Sequence, residues 1–271
     1  MLRNDPQTLG DPSAIRPPLA SFAGVAFVLS VPLALTSAAT MQSALVALGS
    51  FVIAAALLAR SFKRDYPHRR LGLCNVVTLV RVALVAFLFG SLFDPYISDW
   101  FIFCVATLAF TLDGFDGWLA RRADLASGFG ARFDMETDAA LAAVLSLSLL
   151  TSGITGPEIL ILGFTRYAFV LAAQFIPALK RDLPVSFRRK AICVVQIAAL
   201  IVLIFPLTPA ALVQPISVAA AALLLWSFAT DIWWLLQQSG VEASHEVQSL
   251  SPLGDLFSRP FVRNAARLTL A

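Results

Sequence analysis

Four aspartates, Asp113, Asp116, Asp134 and Asp138, fall within 26 residues of a chain that is 58% hydrophobic, with Asp124 and Glu136 between them. On a helix that turns roughly 100° per residue, Asp113, Asp116, Gly117, Ala120 and Arg121 share one face about 140° wide. Gly130, Asp134 and Asp138 share about 80° of the helix that follows. The residues between, 122–129, include Gly128 and form a short turn that makes the two helices antiparallel neighbours. The two acidic stripes can then face each other. Carboxylates gathered in this way repel one another unless cations sit between them. All-oxygen ligands suit a hard ion, Mg²⁺ or Mn²⁺, and four Asp suffice for two such ions sharing ligands, with positions left open for substrate oxygens. A pair of divalent ions is a known clamp on a phosphoryl centre, held between attacking and leaving oxygens. Gly117 and Gly130 have no side chain on the faces that carry the carboxylates, which leaves room for a bulky group against both backbones.

The elements that position these groups follow from composition. The chain has 271 residues, of which 14% are charged, and its mean hydropathy is +0.80. An ordinary soluble domain carries about a quarter charged residues, so a soluble domain and a disordered chain are both excluded. Eight bilayer crossings of about 20 residues each need roughly 160 apolar residues, close to what the composition supplies. Long apolar runs place these crossings at 19–38, 41–59, 73–93, 100–120, 137–153, 157–178, 191–208 and 212–236. The expected fold is an all-α polytopic membrane bundle.

The 20 Lys and Arg residues are distributed unevenly. Five lie in 60–72, three in 121–132, five in 180–190 and three in the tail, while the alternate connections near 39–40, 94–99, 154–156 and 209–211 carry none. The bias predicts that both termini and the basic loops are cytoplasmic, which requires an even number of spans. The first apolar run could pass for a signal peptide, but Asp5 and Asp11 precede it, and a retained span is the expectation. Residues 1–18 read as an N-terminal lead-in. In the tail, Arg259, Arg263 and Arg267 at i, i+4 and i+8 fit either a short helix on anionic headgroups or a frayed end.

Carboxylates at membrane depth cost at least a few kcal/mol each, which favours a functional reading. Solvated helix-end residues would explain one pair of aspartates. They do not explain Asp113-x2-Asp116-Gly117-x2-Ala120-Arg121-x8-Gly130-x3-Asp134-x3-Asp138, whose chance occurrence is on the order of 10⁻¹⁰ per starting position. This pattern resembles the signature of the CDP-alcohol phosphotransferases (CDP-alcohol phosphatidyltransferases) of phospholipid synthesis and matches all its fixed positions. A looser resemblance extends over 73–236, where Asn75-x2-Thr78-x2-Arg81 is similar to the start of the family's first core helix.

The resemblance implies a membrane enzyme with a six-helix core at 73–236 that transfers a substituted phosphate from a CDP-linked lipid to a small alcohol and releases CMP. It implies two divalent cations, Mg²⁺ or Mn²⁺, held by Asp113, Asp116, Asp134 and Asp138, with Asp138 also the general base. It implies that Gly117, Ala120, Arg121 and Gly130 line the CDP pocket with Asn75 and Thr78 nearby, and that the enzyme is a homodimer. Two features depart from the family. The two N-terminal spans at 19–60, and the basic loop 61–72 that follows them, are additions. Ala139 stands where many relatives carry a basic residue.

Arg166, inside the sixth expected span, needs a partner or a wet cavity. It either pairs with one of the aspartates or joins Lys180, Arg181, Arg188, Arg189 and Lys190 in a pocket for a phosphorylated acceptor such as glycerol phosphate or inositol phosphate. Positive-inside topology alone explains five charges in that loop. His68 and His245 are isolated and predict no histidine chemistry. Cys74, Cys104 and Cys193 read as buried small apolar residues. Asp231 is expected at the cytoplasmic interface beside an aromatic belt of Trp226, Trp233 and Trp234, and the phenylalanines read as lipid-facing bulk. No nucleic-acid motif is present. A competing class, an ion or proton transporter using the Asp cluster, predicts repeated halves and broken helices, and the sequence contains neither signal.

Overall fold

The computed structural model describes residues 18–36, 40–66, 71–122, 128–180 and 187–257; within these, the side chains of 36, 65, 116–121, 177, 180, 187 and 238–257 are outside the description. The described residues form eight α-helices and no strand: α1 (Leu19–Thr36), α2 (Met41–Asp65), α3 (Leu73–Ser91), α4 (Asp99–Arg122), α5 (Gly128–Thr151), α6 (Ile159–Phe175), α7 (Phe187–Ile204) and α8 (Ala210–Phe257). A 3₁₀ turn at Pro177–Lys180 follows α6. Each expected span has its helix, and the chain is an all-helical polytopic bundle.

Three described helical segments are long and apolar enough to cross a membrane, Met41–Arg64, Leu73–Ser91 and Ala210–Gln237, and α1 and α6 are apolar but shorter. α5 and α7 each carry charged residues near their start, and α4 ends with Asp113, Asp116, Arg121 and Arg122, as expected of helices that carry a site at the bundle mouth. At about 1.5 Å per residue, the 48 residues of α8 reach well beyond the thickness of a bilayer. The helix therefore continues past residue 238, where the apolar run stops. The tail arginines 259, 263 and 267 and the lead-in 1–17 lie outside the described residues.

Local chemistry sets the helix ends. Thr40 caps α2 by accepting from the Ser43 amide at 3.1 Å, a standard use of a hydroxyl at an N-terminus. Asp99 opens α4, where a negative side chain suits the positive end of the helix dipole. Gly153 follows α5 at φ +71°, a left-handed conformation in which a Cβ would be strained.

α3 and α5 form the centre. α3 packs on α1, α2, α4 and α5, and α5 packs also on α6 and α7. Small residues bring the backbones together, as in membrane bundles generally. A Cβ on Gly90 of α3 would lie 2.7 Å from both the Ala47 Cβ and the Ser43 carbonyl of α2, and one on Gly163 of α6 would lie 3.0 Å from the Ala143 Cα of α5 and collide with Ser146. The additional helices α1 and α2 are thus packed into the bundle against α3.

Two expectations about apolar residues are corrected. Phe22, Phe51, Phe62, Phe87, Phe129 and Phe133 are buried, because helices crowded by small residues leave gaps that rings fill. Cys74 is buried, but Cys104 and Cys193 are exposed, and Cys193 on α7 lies near Asp138, Arg166, Arg189 and Asp231.

Candidate active site

The site lies where the charged ends of α4 and α5 meet the middle of α3. Asp113 on α4 and Asp134 and Asp138 on α5 each present a carboxylate oxygen within 4.8 Å of the others. The i, i+4 spacing of Asp134 and Asp138 puts both on the α5 face that turns toward α3 and α4. The expected convergence of the two stripes therefore holds for these three residues, and the Asp116 side chain is outside the description.

At the centre is a group that the sequence reading placed in a span but did not assign to the site. Arg81 of α3 is fully buried. Its Nε donates to the Ala109 carbonyl of α4 at 3.1 Å, its Nη1 is 3.0 Å from Asp113 Oδ1 and also donates to Asp134 Oδ1, and its Nη2 donates to Asp138 Oδ1. One planar fork thus ties three helices together, a geometry that guanidinium supports and ammonium does not. An arginine inside an apolar span needs counter-charge, and this signal, applied to Arg166, was equally present at Arg81.

The donor set suits a hard divalent cation. It is entirely carboxylate oxygen, and three carboxyl groups share the one guanidinium of Arg81. The Asp113 Oδ1 atom is buried and, beyond its ion-pair contact with Arg81 Nη1, accepts no hydrogen bond of good geometry. Oxygen ligands of this kind are what Mg²⁺ and Mn²⁺ select.

Asn75 and Thr78 lie on α3 below Arg81 and are buried. Asn75 Nδ2 donates to the Tyr66 hydroxyl at 3.0 Å, and Thr78 Oγ1 donates back to the Cys74 carbonyl at 2.9 Å. Gly130 is in the first turn of α5, half-buried. Gly117, Ala120 and Arg121 belong to the last turns of α4, with side-chain positions outside the description.

The basic residues expected at an acceptor pocket are held by different partners. Arg166 of α6 pairs with Glu136 of α5 and reaches Met135 Sδ at 2.9 Å. Its carboxylate partner is therefore Glu136, not one of the aspartates of the motif, because Glu136 is on the α5 face turned to α6. Arg188 pairs with Asp231 and Thr230 of α8 and lies 5.4 Å from the centre of the Trp226 ring. Arg189 Nη1 is 3.8 Å from Asp231 Oδ2. Asp231 is buried against α7 and carries two cations, a structural role that the sequence reading missed. Lys190 is exposed at the start of α7, the Lys180 side chain is outside the description, and Arg181 is outside the described residues.

A family model described as CDP-alcohol phosphatidyltransferase matches residues 71–233. The chain is similar to a "Probable phosphatidylglycerophosphate synthase" from Mycobacterium tuberculosis (strain CDC 1551 / Oshkosh), 31% identical over 163 residues that cover 57% of this chain and 76% of the relative. The same figures hold for the protein of that name from strain ATCC 25618 / H37Rv. No solved structure matches. The matched segment contains the whole acidic cluster and Arg81, and α1 and α2 lie outside it.

Proposed function

This chain belongs to the CDP-alcohol phosphatidyltransferase family, an enzyme class of phospholipid synthesis in membranes, and from that premise we propose that Asp113, Asp116, Asp134 and Asp138 form its reaction centre. That membership decides against the ion-transport alternative. The observation that carries the reading is that Asp113, Asp134 and Asp138 bring carboxylate oxygens within 4.8 Å of one another inside the matched segment.

In this reading, the four aspartates hold two divalent cations, Mg²⁺ or Mn²⁺, which when bound draw charge from the diphosphate oxygens. Gly117, Ala120, Gly130, Asn75 and Thr78 seat the CDP end of a lipid such as CDP-diacylglycerol, and Arg121 offers its fork to a phosphate. Arg81 holds one oxygen of Asp138 and fixes the plane of that carboxylate. The other oxygen takes the proton from the acceptor hydroxyl, which is a poor nucleophile while protonated. The acceptor oxygen forms a bond to the phosphatidyl phosphorus as the bond from phosphorus to the CMP oxygen breaks, and CMP leaves with the electron pair. The six helices from α3 to α8 form the catalytic core, and the basic ends of the helices orient the site and both termini to the cytoplasm.

The acceptor is glycerol phosphate. The name phosphatidylglycerophosphate synthase of the Mycobacterium tuberculosis relatives supports this choice, and Arg188, Arg189 and Lys190 at the start of α7, Lys180 in the 3₁₀ turn before it and Arg166 on α6 would supply cations for its phosphate. The test is CMP release from CDP-diacylglycerol with Mg²⁺ or Mn²⁺ and a panel of glycerol phosphate, inositol phosphate, serine and choline. Release is expected to be fastest with glycerol phosphate. Faster release with an unphosphorylated alcohol would remove the acceptor assignment.

A further inference from the structure

We infer that Tyr66, at the basic end of the additional helix α2, is a positioning residue for the nucleotide end of the lipid substrate and acts through Asn75. The inference rests on the reading of Asn75 as part of the CDP pocket, and it gives the N-terminal helix pair a role in substrate binding.

Asn75 is 4% exposed and Tyr66 is 5% exposed, and the Asn75 amide donates to the Tyr66 hydroxyl at 3.0 Å. A buried side-chain amide contributes little to packing and costs free energy unless its donors and acceptor are satisfied. Tyr66 provides one of these partners from outside the segment matched by the family model. The bond also fixes which end of the Asn75 amide, oxygen or nitrogen, faces the pocket.

The Tyr66 ring is held from two sides. It stacks on Phe62, one turn earlier on α2, with centroids 4.1 Å apart. It also meets Phe129 edge-on at 5.8 Å, and Phe62 does the same at 5.4 Å. Phe129 lies between Gly128 and Gly130 at the start of α5, and Phe22 of α1 closes the cluster behind Phe62 at 5.2 Å. Aromatic pairs in such geometries add about 0.5–1.5 kcal/mol beyond burial, so the cluster sets Tyr66 firmly against α5, while the Asn75 hydrogen bond joins it to α3. At the far end of α3, the close approach of Gly90 to Ala47 and Ser43 fixes the position of α2 along α3.

A phenylalanine at 66 would serve packing equally well and avoid burying a hydroxyl. The hydroxyl is therefore the informative atom. Burial pushes its phenol above the ordinary range, partly offset by the Gly72 backbone and the Asn75 amide, so it stays neutral while it holds Asn75.

The experiment measures KM for CDP-diacylglycerol, KM for glycerol phosphate and kcat in the full chain carrying Tyr66→Phe, Asn75→Ala or both. Tyr66→Phe keeps the ring contacts and removes one hydrogen bond, so KM for CDP-diacylglycerol is expected to rise about threefold to tenfold with little change in kcat. KM for glycerol phosphate stays at the wild-type value. Asn75→Ala raises the same KM, and the double variant is no worse than Asn75→Ala, since both act through one contact. Phe22→Leu, which loosens the aromatic cluster away from the hydroxyl, lowers the melting temperature and leaves both KM values unchanged. If Asn75→Ala raises KM and Tyr66→Phe does not, the inference is overturned and the pocket assignment stands. If neither moves KM, the pocket assignment of Asn75 fails and the inference with it. A lower melting temperature of Tyr66→Phe with unchanged KM would make the contact purely structural and also overturn the inference.

Discussion

Arg81 and Asp138 are 57 positions apart in the chain and are joined by a hydrogen bond from guanidinium Nη2 to carboxylate Oδ1. The other terminal nitrogen of the same fork serves Asp113 and Asp134. A buried arginine that answers to three carboxylates is the internal counter-charge of the site. It allows the acidic helices to pack before any external cation arrives.

Replacing Arg81 with Met leaves three crowded carboxylates without that charge. Breaking a buried charge cluster from one side costs about 3 kcal/mol. Divalent cations then take over part of the lost neutralisation. Arg81→Met is therefore expected to melt well below wild type in chelator and to gain more from Mg²⁺ than wild type does. Equal Mg²⁺-induced shifts in thermal unfolding of the two proteins would show that Arg81 and the cations do not share the cluster.

Gly163 and Ser146 lie at the tightest approach of α5 and α6. A methyl at 163 collides with Ser146 and comes within 3.0 Å of the Ala143 backbone. Overpacking of this kind costs about 1–3 kcal/mol, and Gly163→Ala is expected to lower stability in that range. Ser146→Gly in the same chain should return part of the loss by vacating the space. Denaturant or thermal unfolding in detergent measures both, and a double variant no better than Gly163→Ala would count against the contact as the cause.

Asp231 holds Arg188 and Arg189 from the neighbouring helix. If these arginines meet the phosphate of the acceptor, their orientation is set by Asp231. Asp231→Ala is expected to raise KM for glycerol phosphate several-fold, leave KM for CDP-diacylglycerol unchanged and lower stability by about 1–3 kcal/mol through the loss of a buried partner. Steady-state kinetics with each substrate varied separately check this. Equal rises in both KM values would place the arginines outside an acceptor pocket.

Much of the fold was legible in the sequence because lipid imposes simple rules. An apolar run of sufficient length must be helical, so the eight helices lie close to the runs that predict them. The acidic stripes were legible because α-helical spacing places Asp134 and Asp138 on one face. Three features were not. The role of Arg81 depends on α3 lying between α4 and α5, a packing choice that no local spacing encodes. Arg166 found Glu136 because the register of α6 against α5 selects the exposed face of α5. Tyr66 was hidden in a basic loop and reaches Asn75 only because α2 extends to Asp65, beyond the end of its apolar run. The buried phenylalanines show the same limit, since hydropathy cannot distinguish a ring facing lipid from a ring facing a neighbouring helix.

The central claim is that these carboxylates, with Asp138 as base, transfer a phosphatidyl group to a hydroxyl. The most direct measurement follows CMP release and lipid product together in wild type and Asp138→Asn, in Mg²⁺ and in chelator, alongside binding of CDP-diacylglycerol. Wild type should release one CMP per lipid product and only with the metal, while Asp138→Asn should lose turnover by at least about a hundredfold and still bind CDP-diacylglycerol in part. Full turnover of Asp138→Asn, or wild-type turnover that persists in chelator, would contradict the account.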